Sequence, residues 1–438
     1  MINIRNREFY ETSRSFVIAA INLLIMCLQK GEKIPCLMNE KFEIEKDGTC
    51  KTTYEQQPLF VAPLYKHRKE LETLPEYQVC MKAMASDPAI TRHLNVLVGF
   101  YNSQFRRTPE EYLEYLILRQ FPINTESIEF NPTLFDNAYE ILERFFYKDN
   151  FIFRAMSPLH NFTAEDERID LDDNLCIRKI TIDEQEQLLS EFKWSSVIPH
   201  FEALDLKHAI ELEYQTKKIM EDAPREPLQA IDQSVKETIR KLATALRLFK
   251  TGLVGYNMVR TVSALELPLP AGMTSFASPY KPFLGEKYTL TKLEANEFKK
   301  FWERMNKIDV NAFPQLSIAL SRFNYAYERD KLEDKLIDFM VAFEALFFKE
   351  GESGEFRHKL SVRVSRFLER EYEQRRLTAE RMNDFYDRRS KVVHGEKVEL
   401  RDDFVKTVED HLRKSIKLFL EHLPTSSHDE IIAHLDLD

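Results

Sequence analysis

The feature that most constrains this chain is the succession of amphipathic patterns in its last third, where apolar residues recur three or four apart. Such spacing gathers side chains on one face of an α-helix, which must then be buried against a neighbour. Thr291-x-x-Glu294 has the form of a capping box that opens a helix through Phe298, Phe301 and Met305. Leu316, Leu320, Phe323 and Tyr327 mark the next helix. Asp330-x-x-Glu333 has the form of a second capping box, ahead of Leu336, Phe339, Phe343 and Phe347 and a close near Gly351. Phe356, Leu360, Val364 and Phe367 mark another. Thr378 is placed to cap a helix with Met382, Phe385, Tyr386 and Val393 on its apolar side, and Gly395 to end it. The last helix is expected from about Asp403 to Leu423, stopped by Pro424. Amphipathic helices with connections this short predict an up-and-down bundle.

Upstream the pattern is mixed, so the whole chain is expected to be mainly α, with an α+β character overall. Phe42 and Ile44 alternate with charges, Asp47-Gly48 supplies turn chemistry, and Cys50, Thr52 and Tyr54 continue the alternation, which predicts a β-hairpin. A helical pattern runs from about Glu70 to Tyr147. Ile169 and Leu171, then Leu175 and Ile177, alternate about Asp172-Asp173-Asn174, and Ile210, Leu212 and Tyr214 form a further strand pattern. Ile231, Val235, Ile239, Leu242, Leu246 and Phe249 form a clear helix, which stops before Gly252. Pro268, Pro270, Pro279 and Pro282 bar a helix from 265–282, where a linker is expected. The domains expected are a mixed region over 1–165 with the hairpin, a small α+β region over 166–290, the bundle over 291–424 and a tail over 425–438.

Several function classes are excluded. Only 10 glycines in 438 residues leave no P-loop or dinucleotide-binding fingerprint. The net charge of -10 argues against nonspecific binding of polyanions by the whole surface. Five cysteines without a C-x-x-C pair, and scattered histidines, imply a reducing cytoplasm and no metal cofactor. Phe16–Leu28 is apolar but shorter than the roughly 20 residues of a membrane span, so a buried helix is expected and no membrane partner.

Against this background the stretch Arg388–Glu396, RRSKVVHGE, carries the clearest chemistry. Arg389 and His394 fall near the end of one helix, with Ser390 one turn before His394. Arginine is a fixed cation whose fork matches phosphate oxygens, and histidine exchanges a proton near neutral pH. Between Glu355 and Lys397 there are twelve Lys/Arg against eight Asp/Glu, a local excess of positive charge in an acidic protein. Cleaving RNA through its own 2′-hydroxyl needs a base and an acid, and a symmetric dimer would supply two histidines. The plainer alternative is an arginine paired with an acid and a histidine capping carbonyls.

Three segments in order, SRFNYAYERDKLEDKLIDFMVAFEALF (321–347), HKLSVRVSRFLE (358–369) and FYDRRSKVVHGE (385–396), resemble the HEPN superfamily, nearest to its ApeA-like branch of bacterial defence proteins. The resemblance covers about Phe298–Leu423. It implies an all-α bundle that dimerises, and a metal-independent endoribonuclease site of R-x4-6-H type that cuts single-stranded RNA across the dimer. It gives the motif positions to Arg389 and His394, with Ser390 where many members carry Asn, Asp or His. It matches Glu344 to an acidic position that orients the motif arginine, and Arg322 and Arg363 to recurrent arginines that are structural or contact phosphate; Arg366, Arg388 and Lys391, in the same basic stretch, join Arg322 and Arg363 as candidate RNA contacts. The setting it implies is phage defence or toxin-like growth arrest, with a sensing or activator-binding role for the N-terminal region. A non-catalytic module that binds RNA, a nucleotide or a protein partner is the competing reading.

Overall fold

The computed structural model describes residues 4–45, 49–100, 103–106, 108–122, 125, 127–193, 204–220, 224, 226–268, 272–276 and 286–437. The helices are α1 (Arg7–Gln29), α2 (Ala62–Lys66), α3 (Arg68–Glu72), α4 (Pro75–Ser86), α5 (Pro88–Thr91), α6 (Pro109–Leu118), α7 (Pro132–Tyr147), α8 (Ile182–Lys193), α9 (Glu226–Phe249), α10 (Lys292–Asn306), α11 (Pro314–Tyr327), α12 (Leu332–Phe347), α13 (Phe356–Leu368), α14 (Tyr372–Val393), α15 (Asp402–His422) and α16 (His428–Leu437). The strands are β1 (Cys36–Ile44), β2 (Cys50–Pro58), β3 (Leu97–Phe100), β4 (Ser103–Arg106), β5 (Asn150–Leu159), β6 (Phe162–Ala164), β7 (Arg168–Asp172), β8 (Leu175–Lys179), β9 (His208–Lys217), β10 (Ile219–Met220), β11 (Met258–Ser263), β12 (Gly272–Phe276) and β13 (Tyr288–Leu290). Helix predominates and the sheets are small, as the mainly α, α+β expectation has it. The elements form two compact units: residues 1–159, 172–239 and 257–280 make the first, and 160–171, 240–256 and 281–438 the second.

In the first unit, Asn6 caps α1 by accepting from the Phe9 N–H at 2.9 Å. The apolar run 16–28 sits inside this longer helix of 23 residues, which is long and apolar enough to cross a membrane by length and composition. Its Phe9, Phe16, Val17, Ala20, Ile21 and Leu24 are buried in one core with residues of α4, α6 and α7, the placement of a core helix. The hairpin forms as expected, β1 and β2 pairing antiparallel from Ile44↔Cys50 outward, while Asp47-Gly48 lie outside the described residues. The helical expectation for 70–147 is interrupted by the antiparallel pair β3–β4. Within the stretch 265–282, where a linker or long loop is expected, the described residues 272–276 form a strand: β12 pairs with β11, Gly272 opposite Val262, because a proline bars a helix but not a short edge strand. Strand order in this sheet runs β12-β11-β5-β9-β8, all antiparallel.

A lysine is buried in this core. Lys218 Nζ donates to His93 Nε2 at 2.8 Å and to the Phe145 carbonyl, and lies 4.5 Å from the Phe145 ring centre. His93 Nδ1 contacts the Ala89 carbonyl at 2.8 Å, so that nitrogen carries the proton and Nε2 is free to accept. Burial pushes Lys218 down to about 7 and His93 down to about 3.

In the second unit the end of α9 and its following loop belong with the C-terminal helices, a division that cuts across the expected boundary at 290/291. Arg247 Nη1 donates to Asn324 Oδ1 at 2.8 Å, its Nε donates to the Val254 carbonyl at 2.9 Å, and Arg413 Nε donates to the Arg247 carbonyl at 2.8 Å. Gly252 lies at φ +143°, where a Cβ would come within 2.8 Å of the Tyr288 ring, so only glycine fits that turn.

The capping box at Thr291 forms, with the Thr291 N–H donating to Glu294 Oε2 at 2.9 Å. The one expected at Asp330 does not. Helix α12 starts after Lys331 without a side-chain cap, and Glu333 and Asp334 meet the positive end of its dipole. Helix α12 packs against α11, α13, α14 and α15. Its Phe339, Phe343 and Phe347 are fully buried, each worth roughly 1.5–3 kcal/mol. Thr378 does not cap α14 but lies buried in its second turn, because Tyr372–Leu377 already form helix. That first segment is largely exposed and rich in Glu, Gln and Arg, so intrinsic propensity carries it where no apolar period does. The expected tail holds helix α16, with Ile431, Ile432 and Leu435 buried.

Candidate functional site

Helix α14 brings the motif to its C-terminal turns. Its end is a Schellman motif: the Glu396 N–H donates to the Lys391 carbonyl at 2.9 Å and the Gly395 N–H to the Val392 carbonyl at 3.0 Å. Gly395 takes φ +76°, the left-handed turn that needs a glycine. His394 is therefore the capping residue, its N–H held by the Ser390 carbonyl at 3.0 Å and its side chain exposed. Its ring makes no hydrogen bond to a described residue, nor does exposed Lys391 pair with one. Ser390 is half-buried, one turn back.

Arg389 is held differently. It is half-buried, with Nη2 3.4 Å from Glu344 Oε2 on α12 and its guanidinium 5.9 Å from the Tyr386 ring centre. Its Nε is buried without a hydrogen-bond partner. The fork is thus weakly satisfied, five donors served by one long contact. Burial raises the Glu344 pKa, and the Arg389 charge only partly offsets that. The structure therefore brings Arg389 and Glu344 together, the pairing that the sequence reading gave them.

The other candidate contacts divide. Arg388 donates to Asp384 at 3.0 Å, one turn away, and stacks 4.4 Å over the Phe404 ring. Arg322 and Arg329 both hold buried Asp338, at 3.0 and 2.7 Å, though Arg322 remains 41% exposed. Arg366 donates to the Leu435 carbonyl at 2.6 Å. Of the two roles open to Arg363, structural or phosphate-binding, the geometry takes the structural one. Arg363 is buried and has all five donors engaged: two on Glu352 at 2.8 Å, two on Asp436 at 2.7 and 2.9 Å, and one shared with the Phe347 carbonyl at 2.7 Å. Nothing is left for a phosphate, so Arg363 is a structural knot joining α12, α13 and α16.

Much of the local positive excess is likewise spent internally, through Arg357–Asp387 at 2.7 Å and Arg376 with Glu373 and Glu380. The sequence reading missed Asp338, Tyr386 and the Glu352/Asp436 pair. A carboxylate inside the apolar string LIDFMVAF was the available signal for Asp338, since a buried acid requires a partner. Comparison with models of known protein families, with curated proteins and with solved structures returns no match.

Proposed function

We propose that this chain is a metal-independent endoribonuclease that cuts single-stranded RNA at a composite Arg389/His394 site in a homodimer. The observation that carries the reading is the contrast at the end of α14: an exposed His394 with an unengaged ring, beside an Arg389 whose buried Nε lacks a partner and whose fork has one long contact. A phosphate oxygen would satisfy that fork better than Glu344 does. In the reaction, one His394 takes the proton of the RNA 2′-hydroxyl, whose oxygen attacks the adjacent phosphorus. The bond to the 5′-oxygen breaks, and the His394 of the second copy returns a proton to that leaving oxygen. The products are a 2′,3′-cyclic phosphate and a 5′-hydroxyl. Arg389 neutralises charge that grows on the non-bridging oxygens, Ser390 and Lys391 line the approach, and Glu344 positions Arg389. Base, acid and counter-charge are all side chains, so the reading requires no metal. The resemblance supports a role in anti-phage defence or growth arrest in the cytoplasm, with the first unit receiving a protein or phage-derived activator.

A non-catalytic RNA-, nucleotide- or protein-binding role is the second reading, favoured by the internal pairing of Arg388, Arg363, Arg366 and Arg322. The deciding experiment incubates wild type and an Arg389→Ala/His394→Ala variant with mixed cellular RNA in EDTA and analyses fragment ends. Cyclic-phosphate ends from wild type alone support the ribonuclease. RNA retention with no cutting supports the second reading.

A further inference from the structure

The first unit holds a cavity of about 200 Å³ among α1, α2, α3, α4 and α6. Its apolar lining comes from Phe16, Leu64, Leu113 and Ile117, all nearly or wholly buried. Helix α6 explains the character of the wall. Leu113 and Ile117 lie four apart and face inward, while Glu110 and Glu114, also four apart, form the neighbouring stripe. Glu72 and Glu111 complete a lining with four carboxylates and one cation, Arg68.

These charges are not equally available. Arg68 Nε is committed to Glu72 Oε1 at 2.7 Å, and Glu111 Oε2 accepts from the Thr108 N–H at 2.8 Å at the start of its own helix. Glu110 accepts from the Tyr77 hydroxyl at 3.0 Å, and the Glu114 carboxylate lies beside the Tyr65 hydroxyl. Partial desolvation and the neighbouring Glu114 push Tyr65 up to about 12 although its ring stays largely exposed, so the hydroxyl keeps its proton. A carboxylate offers about four acceptor positions, so Glu114 keeps most of its own, while Glu110, which also meets Thr108 and its own N–H, contributes chiefly its charge. Two tyrosine rings stand beside them, and a ring face attracts a cation.

We propose that this cavity binds a small hydrophobic cation, an amine or ammonium whose aromatic or aliphatic body fills the pocket and whose charge meets Glu110 and Glu114. An anion is repelled there, and a neutral body leaves the acidic stripe unanswered. An enclosed cavity of ~150 Å³ accepts benzene, and by that measure this pocket, open to solvent on its charged side, has room for a body of about ten heavy atoms. The inference goes beyond the ribonuclease reading and stands apart from it, since the cavity lies wholly in the first unit and its assay contains no RNA.

The test is calorimetric titration of the full chain at low salt with 4-phenylbutylamine, the neutral 4-phenylbutan-1-ol and the anionic 4-phenylbutanoate. The amine is expected to bind at least tenfold more tightly than the alcohol, and the acid not at all. A Glu110→Gln/Glu114→Gln variant is expected to bring the amine down to the alcohol's affinity and leave the alcohol unchanged. Leu113→Trp, or Ile117→Phe should the first not fold, is expected to abolish binding of both while circular dichroism stays native. Equal affinity for amine and alcohol in wild type, amine binding that survives a folded cavity-filling variant, or no binding of any probe at millimolar concentration would each overturn the proposal.

Discussion

Lys218 makes a quantitative prediction about the first unit. Its ordinary value is 10.5 and burial brings it to about 7 in the folded protein. Between those values the unfolded chain binds more protons than the folded one. Stability therefore rises with pH across that window and is lost as pH falls back toward 7. One proton corresponds to a slope of ~1.4 kcal/mol per pH unit, and integrating from pH 7 to pH 9 gives about 2 kcal/mol. His93 does not contribute there, because its folded value of about 3 lies far below the window. Buried thiols such as Cys80, pushed up to about 12, act in the opposite direction near pH 9, but equally in any Lys218 variant. The comparison is therefore wild type against Lys218→Met, which keeps the volume and removes the charge. Urea denaturation at pH 7, 8 and 9 gives the two slopes, and hydrogen-exchange protection of the peptide spanning β9 assigns the transition to the first unit. Wild type is expected to gain about 2 kcal/mol more than the variant over the interval. Identical pH slopes would refute the reasoning.

In the second unit, Arg363→Ala strands the Phe347 carbonyl, leaves Glu352 with Lys359 and half-exposed Asp436 with water, and is expected to cost about 3 kcal/mol by chemical denaturation. Arg322→Ala leaves Asp338 with Arg329 and is expected to cost about 1 kcal/mol, so equal losses would dissolve the distinction drawn between the two. Glu352, held at about 2 first by its hydrogen bonds to Arg363, contributes stability that is present above the usual carboxylate range and lost as pH falls toward 2. Acid unfolding of Glu352→Gln should lack that component. Gly395→Ala meets open space but a left-handed backbone, and is expected to cost ~1 kcal/mol in melting while loosening the turn that carries His394. Under the ribonuclease reading, Glu344→Gln lowers cleavage several-fold by releasing Arg389, measured as initial rates on a labelled RNA against the double motif variant.

The helices from α10 to α15 were legible because their apolar residues recur with a helical period and their ends carry local signals, Gly395 the clearest. What stayed illegible has specific causes. The first turns of α14 carry no apolar stripe, only helix-forming polar residues, so its start was placed at Thr378 instead of near Tyr372. Helix α16 spans ten residues, too few for periodicity to speak, and its anchor is a salt bridge to a residue 73 positions earlier. The Arg389–Glu344 contact was reached through the family resemblance, since residues 45 apart give no pairing signal of their own. The strand at 272–276 hid behind prolines that flank it. Spent charge was invisible as well: twelve cations counted along a sequence do not reveal that Arg363 has nothing left to offer.

Helix α16 also decides how this protein can be handled. His428 Nε2 contacts the Leu346 carbonyl at 2.8 Å, and Asp436 closes two of the five bonds of Arg363. A shortened version ending at Leu423 would discard that stitch while keeping every residue of the motif. Such a fragment would bare the seat of Ile431, Ile432 and Leu435 on the bundle, and inclusion bodies or promiscuous self-association from it would say nothing about dimerisation in the intact chain.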